Sequence, residues 1–491
     1  MPSETFLWHD YETYGLSRLD RPAQFAAVRT DLNLNVVEEH RPVYAKPTPD
    51  YLPSPQAVLV TGITPQYGLE NGLTEQNFSR HIEQLMMQPG TISVGYNSLR
   101  FDDEVTRHLF WRNLRDPYAR EWKNGCSRWD LINVLRCAWA LRPEGIEWPL
   151  IEKSPGVFAP SFKLTDLTEA NNLTHINAHD ALSDVYATLE IAKLLKAKQP
   201  RLFDYFLSNR KKEAVRASTL AAKQHKKPLL HVESIYGASR GYLAPLWPIA
   251  TNPSNPNEYI CWNLRQDPSE LFSLSALQIR ERLFSKERDS DAARLGLHTI
   301  AVNRCPTILQ GLSAIPPDGL EKWAIDPALC SQRIEALLDH AAELSLLWAD
   351  VYTPPGPFNA DVDAKLYDGF VSKLDQGWMS QLQEWTASDW KNRPFSSFEI
   401  FADERIEKLA WRYLCRNHPE ALTPAEKTKW MQHCHQILTQ PSPADGLHPR
   451  TFDQFEAEIA QLASTCSCEK QSSLLANLLL YGNQLKAKLN A

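Results

Sequence analysis

Apolar residues near the start of the chain fall in short extended runs. "TFLWHDYET" (residues 5–13), "QFAAVRTD" and "VVEEHRPVYAKP" are separated by turn-prone segments and read as an antiparallel meander. The period then changes. "TEQNFSRHIEQLMM" is amphipathic at helical spacing, "TISVGYN" is an apolar strand, and "FDDEVTRHLFWRNL", "RWDLINVLRCAWAL" and "AHDALSDVYATLEIAKLLKAK" read as helices. A meander followed by alternating helix and strand predicts a mixed sheet flanked by helices, an α/β domain over residues 1–198.

Beyond Pro200 the texture shifts. A short basic region, "NRKKEAVRASTLAAKQHKKP", leads into strand-like runs "PLLHVES", "EYICWNL" and "GLHTIAVNRCPTIL", which predict a small β-rich domain over residues 199–352. The proline-rich "YTPPGPFNADVDA" reads as a linker. Residues 353–491 are then almost wholly helical in pattern, as in "DERIEKLAWRYLCRNHP", "TPAEKTKWMQHCHQIL" and "SSLLANLLLYGNQLKAKL". No repeat of solenoid period is evident.

With 491 residues the chain is too long for one core, and 43% hydrophobic residues exclude a disordered protein. The net charge of -7 gives no global basic signature, so a nucleic-acid site must be a local patch. Nine cysteines without framework spacing read as reduced thiols. His433, Cys434 and His435 with Cys466 and Cys468 come nearest a zinc pattern but lack a CxxC, and no zinc site is expected. No apolar run is long enough to span a membrane and no leader pattern opens the chain, so a cytoplasmic protein is expected.

Asp10 and Glu12 are anomalous in an apolar strand. Alternation puts them on one face, about 7 Å apart, where two like charges need a counter-charge. Three further groups are candidates to join them: Asp102 or Asp103, at the strand-to-helix turn in "SLRFDDEVTR", and His179 and Asp184 in "NAHDALSDVY". Carboxylates with a substrate phosphate suit magnesium, and two ions about 4 Å apart would stabilise the attacking and leaving oxygens of a displacement at phosphorus. A loop histidine can take a proton from the attacking water. Singly, each element has a plainer explanation: a solvated strand face, helix N-terminal acids, a chance spacing. Their order along the chain joins them, and the residues alone leave the choice between Asp102 and Asp103 open.

"HDYET", "GYNSLRFDDE" and "HDALSD" resemble the three motifs of the DEDDh 3′-5′ exonuclease superfamily. "LDRPAQFAAVRTD", "VLVTGITP", "SRWDLINVLR", "ALRPEGIEWP" and "QPRLFDY" extend the resemblance to the bacterial exodeoxyribonuclease I family, strongly over the first 205 or so residues and more thinly to the C-terminus. The resemblance implies an RNase H-like exonuclease domain, an SH3-like β-barrel domain and a helical C-terminal domain. It places metal-binding carboxylates at Asp10, Glu12, Asp102 (the acid directly after Phe101) and Asp184, with His179 as general base and Glu12 also touching substrate. Two magnesium ions per site, with manganese as a substitute, would then drive processive removal of 5′-mononucleotides from the 3′ end of single-stranded DNA, in DNA repair and recombination.

Between Arg107 and Arg142 cations and aromatics interleave as on a single-strand path, cations tracking phosphates and rings stacking on bases. About half of these residues are expected to be structural, with Trp129 and Trp139 facing the core. The resemblance singles out Arg107, Tyr118, Trp122 and Arg136 as strand contacts, Lys163 at the nucleotide, and Lys212 more weakly. It also implies a partner, the acidic, apolar-tipped C-terminal tail of single-strand DNA-binding protein, for which Arg142, Tyr205, Lys227 and Gln310 could form a pocket. Ile315 departs from the pattern, standing where an arginine is expected. A monomer is expected, because three domains around a strand already enclose it. The competing readings are a 3′-5′ exoribonuclease, disfavoured by the added domains, and an inert single-strand-binding module, disfavoured because all five motif residues are present. A polymerase proofreading subunit would need a polymerase region, and none is recognisable.

Overall fold

The computed structural model describes residues 4–17, 19–175, 179–284, 295–353, 360–393, 395, 401–440, 450–466 and 468–490. They form two units. One comprises residues 1–127, 176–186 and 357–491, the other residues 128–175 and 187–356. The expected linker falls largely on residues 354–359, outside the described residues.

In the first unit β1 (Thr5–Thr13) pairs antiparallel with β2 (Pro22–Thr30), β2 pairs with β3 (Val36–Tyr44), and β4 (Thr91–Gly95) lies parallel to β1 on its other side. This is the mixed sheet expected from the meander and the alternation after it. The Leu7–Tyr11 face of β1 packs on Phe25, Phe78, Ile82, Val105 and Leu109, which come from β2 and the helices Glu75–Met86 and Asp102–Arg112. A strand covered by helices must be apolar along its length, which is why "TFLW" reads as internal. β4 pairs with β1 only as far as Trp8↔Val94, so β1 runs on past its neighbour. Gly95 sits at that point because a Cβ there would meet the Ser98 side chain at 2.6 Å.

The C-terminal helices pack into this same unit. Ile406, Leu409 and Tyr413 of the helix Glu404–Asn417 share a core with Trp111, Leu114 and Leu52. Beside that core lies a buried ionic network. Arg21 bonds Asp50 (3.1 Å), Glu75 (3.1 Å) and Asp363 (3.3 Å); Arg112 bonds Glu75 (2.9 Å); Arg416 bonds Asp50 (2.5 Å) and Asp363 (2.6 Å). Three guanidinium groups thus face three carboxylates, and a fourth, of Arg412, reaches Asp363 (3.1 Å) while pairing with Asp361 (2.6 Å). Burial opposes ionisation of Asp50 and Asp363, but the adjoining guanidinium groups of Arg416 and Arg21, and of Arg412 at Asp363, outweigh it and hold both well below the ordinary carboxylate range. Desolvation makes such a network cost about as much as it returns, yet it ties chain segments far apart in sequence to one arrangement.

The second unit is built on a five-stranded antiparallel sheet in the order Leu297–Ala301, Asn255–Asn263, Leu243–Asn252, Leu229–Val232, Ile308–Gln310. Three departures from the sequence pattern stand out. The basic region is mostly a helix, Lys212–Gln224, buried along Val215, Ser218, Thr219 and Ala222. "GLHTIAVNRCPTIL" is two strands broken near Cys305, whose φ is +46°. The strand Leu243–Asn252 carries Pro245 and Pro248, which disguise it as a loop; Pro248 is accommodated beside a register shift in the neighbouring strand between Ile260 and Cys261.

Arg416→Ala removes one partner from a buried network and leaves Asp50 and Asp363 short of counter-charge, so it is expected to cost about 3–5 kcal/mol, read from urea unfolding. The unsubstituted network contributes fully above the unfolded carboxyl pKa of about 4 and loses its contribution as pH falls further.

Candidate active site

The site lies at the carboxyl end of β1, where β4 has turned away. Tyr11 has no partner strand on that side, and its N–H is taken by Asp102 Oδ1 at 3.2 Å. Asp102 opens the helix Asp102–Arg112, so the strand-to-helix turn after β4 delivers a carboxylate directly to β1. Asp103, one residue on, points elsewhere: it pairs at 2.5 Å with Arg120, which is wholly buried. Asp102 therefore faces the other acids while Asp103 has an internal counter-charge, which separates two residues that the sequence alone leaves equivalent. The next turn locks the arrangement, with Thr106 Oγ1 donating to Tyr11 Oη at 3.0 Å.

Asp184 comes from the first turn of the helix Ala181–Lys198, and His179 from the residues just before it. Ligand-capable atoms of Glu12, His179 and Asp184 lie within 4.8 Å of one another. Asp10 feels Asp102, Glu12 and Asp184, and Glu12 feels Asp184 and Asp102, so all four carboxylates share one field. Asp180, missed in the sequence, borders it as well. Burial is the largest effect and the neighbouring acids add to it. Together they push Glu12 up to about 8 and Asp10 well above the usual range. Glu12 and Asp102 are buried and Asp10 and Asp184 half-buried, and such a cluster of oxygen ligands with a surplus of negative charge fits hard divalent cations.

The expected strand contacts divide by environment. Trp122 stands free, 66% exposed. Tyr118 is half-buried against the helical core, and the Arg107 guanidinium lies 5.3 Å from its ring centroid. Arg107 is itself buried, bonding Glu104 (2.7 Å), Glu121 (2.8 Å) and Tyr367 Oη (3.2 Å). Arg112, Arg115 and Arg120, also in the basic and aromatic stretch, are internal ion-pair partners of Glu75, Glu83 and Asp103. In the second unit Trp129 is buried edge-on to Phe203, and Trp139 joins Phe162, Tyr242 and Trp323. Arg136 lies over the Phe162 and Tyr242 rings. Lys163 is exposed at the start of the helix Leu164–Ala170, and Lys212 opens the helix Lys212–Gln224.

Also in the second unit, a cavity of about 400 Å³ has Leu141, Leu202, Phe206 and Leu309 in its wall, together with Arg142, Arg201 and Tyr205. Gln310, next to Leu309, bonds Ser218 Oγ at 3.2 Å, and Lys227 is exposed. Ile315 is buried. Arg201 was not singled out from sequence, where it is one cation of "QPRLFDY".

Comparison with known proteins finds relatives over nearly the whole chain. Residues 7–192 match the Exonuclease family, 210–354 the Exonuclease I SH3-like domain and 360–485 the Exonuclease I C-terminal domain. Exodeoxyribonuclease I of Escherichia coli (strain K12) is 40% identical over 486 residues, 98% of each chain, and that of Haemophilus influenzae is 37% identical over 488 residues, again 98% of each. Among solved structures, E. coli Exonuclease I in complex with a dA16 oligonucleotide superposes with a TM-score of 0.88 at 39% identity, covering 98% of this chain and 100% of that one. A zinc-bound form of the E. coli complex with single-stranded DNA (TM-score 0.87, 39% identity, 98% and 99% covered) is also similar. So is a structure of SSB/Exonuclease I with the inhibitor CFAM (TM-score 0.85, 38% identity, 98% and 100% covered).

Because Glu12 titrates near 8 when folded and near 4.3 when unfolded, the metal-free site takes up a proton on folding between those values and loses stability as pH rises through that window. A divalent cation relieves the repulsion. Magnesium is therefore expected to raise the melting temperature, relative to EDTA, more at pH 8 than at pH 5, and the doubly neutralised Asp10→Asn, Glu12→Gln variant should show no such difference.

Proposed function

The chain belongs to the exonuclease I family of 3′-5′ exonucleases, and from that premise we propose that Asp10, Glu12, Asp102 and Asp184 hold two magnesium ions, or manganese in their place, with His179 as the general base of hydrolysis. The reading rests chiefly on the convergence of Glu12, His179 and Asp184 within 4.8 Å at the end of β1. The protein is a single-stranded DNA 3′-5′ exonuclease. Divalent ions on this cluster would offset the charge of the scissile phosphate and of the oxygens that attack and leave it. His179 takes a proton from the water that attacks phosphorus. The bond from phosphorus to the 3′ oxygen of the preceding nucleotide breaks, releasing a 5′-mononucleotide and a strand shortened by one, with its new 3′-hydroxyl free. Repeated without release of the strand, the cycle is processive and serves DNA repair and recombination.

Trp122 supplies an uncommitted ring for stacking on a base, and Tyr118 a second one whose orientation is held by Arg107. Lys163, Arg136 and Lys212 add cations for the phosphates of the strand. The cavity beside Arg142 and Tyr205 has the character that the C-terminal tail of single-strand DNA-binding protein requires: cations for its acidic residues and terminal carboxylate, and an apolar wall for its last side chain. Lys227 and Gln310 would extend that surface. Ile315, an isoleucine where the family pattern has an arginine, shifts the positive charge of this surface to its other cations, Arg201 among them.

Single-stranded DNA labelled at its 5′ end should be shortened from the 3′ end in magnesium but not in EDTA, and matching RNA should survive. Equal loss of RNA would assign an exoribonuclease instead, and retention of both strands without cleavage an inert binder. His179→Ala should lower turnover by about 10²–10⁴-fold while keeping strand affinity. Trp122→Ala should weaken strand binding by about 1–3 kcal/mol without lowering the melting temperature, as measured by fluorescence anisotropy alongside a thermal melt.

A further inference from the structure

The segment "LDRPAQFAAVRTD" supplies none of the five catalytic groups, yet its Gln24 is 1% exposed on β2 and stands opposite Glu12 in register. A buried amide must find partners for its carbonyl and its NH₂. Gln24 finds them at the site. Its Oε1 accepts the Ala181 N–H at 3.3 Å, while Nε2 lies 3.4 Å from Asp180 Oδ2 and donates to Tyr44 Oη at 3.1 Å. Asp180 in turn caps the following helix: its Oδ1 accepts the Ser183 N–H at 3.1 Å and its carbonyl accepts the Asp184 N–H at 3.0 Å. One side chain on the sheet therefore reaches both the capping residue and the first helical N–H of the element that carries Asp184.

The residue on the other side of that cap is His179. Its φ is +67°, in the left-handed region that only a few per cent of residues other than glycine occupy. We propose that Gln24 is a positioning residue that bolts the His179–Asp184 turn to β2, so that the imidazole and the Asp184 carboxylate stay within reach of Glu12. This rests on the roles given to His179 and Asp184 under Proposed function. The amide suits the task because it is a donor towards Asp180 and an acceptor towards Ala181 at once. Glutamate would repel Asp180, and leucine would leave the Ala181 N–H and the Asp180 carboxylate without this partner.

Gln24→Leu, Asp180→Asn and the double variant, each in the full chain, test it. Asp180→Asn can still cap the helix through its carbonyl oxygen but turns an NH₂ towards Gln24. In single-turnover assays with saturating DNA, Gln24→Leu should lower the rate by about 10²-fold, with strand affinity in EDTA unchanged. The double variant should fall no further than the worse single one, since both cut the same linkage. Amide exchange at Ala181 should be faster in Gln24→Leu. A folded Gln24→Leu with wild-type turnover overturns the proposal, as does a double variant whose losses multiply. Should Gln24→Leu fail to fold, Asp180→Asn decides: wild-type turnover overturns the proposal, and slow turnover with intact strand affinity supports it. If the wild type cleaves nothing, the catalytic reading has failed; the bolt is then upheld by faster Ala181 exchange in Gln24→Leu and overturned by unchanged exchange.

Discussion

Everything at the site depends on β1 extending beyond β4. Within a sheet a strand's N–H and carbonyl groups are consumed by its neighbours, and no side chain can reach them. Past Trp8 that constraint lapses on one edge, and the freed Tyr11 N–H becomes the anchor for Asp102. The same gap lets acids from a strand, a strand-to-helix turn and a helix start converge on one point. The convergence is electrostatically costly, since burial and mutual repulsion both push Asp10 and Glu12 towards protonation. The protein leaves this charge for a ligand to neutralise.

Elsewhere in the same unit the opposite solution operates. Arg21, Arg112 and Arg416 meet Asp50, Glu75 and a half-buried Asp363, and the charges balance without any outside group. The balance requires the C-terminal helix Glu404–Asn417 to be docked, because Arg416 comes from it. A buried carboxylate short of its guanidinium is far more costly than the pair, so the network penalises any arrangement in which the C-terminal helices come away. Two acidic clusters in one unit thus differ in function according to whether the chain supplies their counter-charges.

A similar division runs through the stretch from Arg107 to Arg142. Arg112, Arg115 and Arg120 are consumed by internal acids, and Trp129 and Trp139 by aromatic packing, whereas Trp122 faces solvent. Interleaved cations and rings look alike in sequence whether they hold a strand or a core. Their partners distinguish them, and those partners, Glu75, Glu83 and Phe203, lie far away along the chain.

The sequence by itself determined the meander β1–β3, the strand β4 and the helices around it, because burial on one face or two imposes a period that the chain displays directly; it merged the short strand Ser127–Asp130 into the helix Ile132–Leu141 that follows it. It also carried the five motif residues: Asp10 and Glu12 were conspicuous as carboxylates inside an apolar run, whereas Asp102, His179 and Asp184 joined them only through their order along the chain and the family resemblance. It could not show that Leu243–Asn252 is a strand, because Pro245 and Pro248 mask a pairing that a register shift in the neighbouring strand tolerates. Composition and spacing could not separate Asp102 from Asp103, adjacent and chemically identical, although the family resemblance favours Asp102. In the tertiary structure they part company, with Arg120 beside Asp103 and the open edge of β1 beside Asp102. The role of Gln24 was hidden for the same reason: an amide in a strand is neutral in any pattern of hydrophobicity or charge, and its meaning comes only from Asp180 and Ala181, more than 150 residues away in the chain. Local periodicity is written in the chain, whereas the pairing of buried polar groups exists only once distant segments have met.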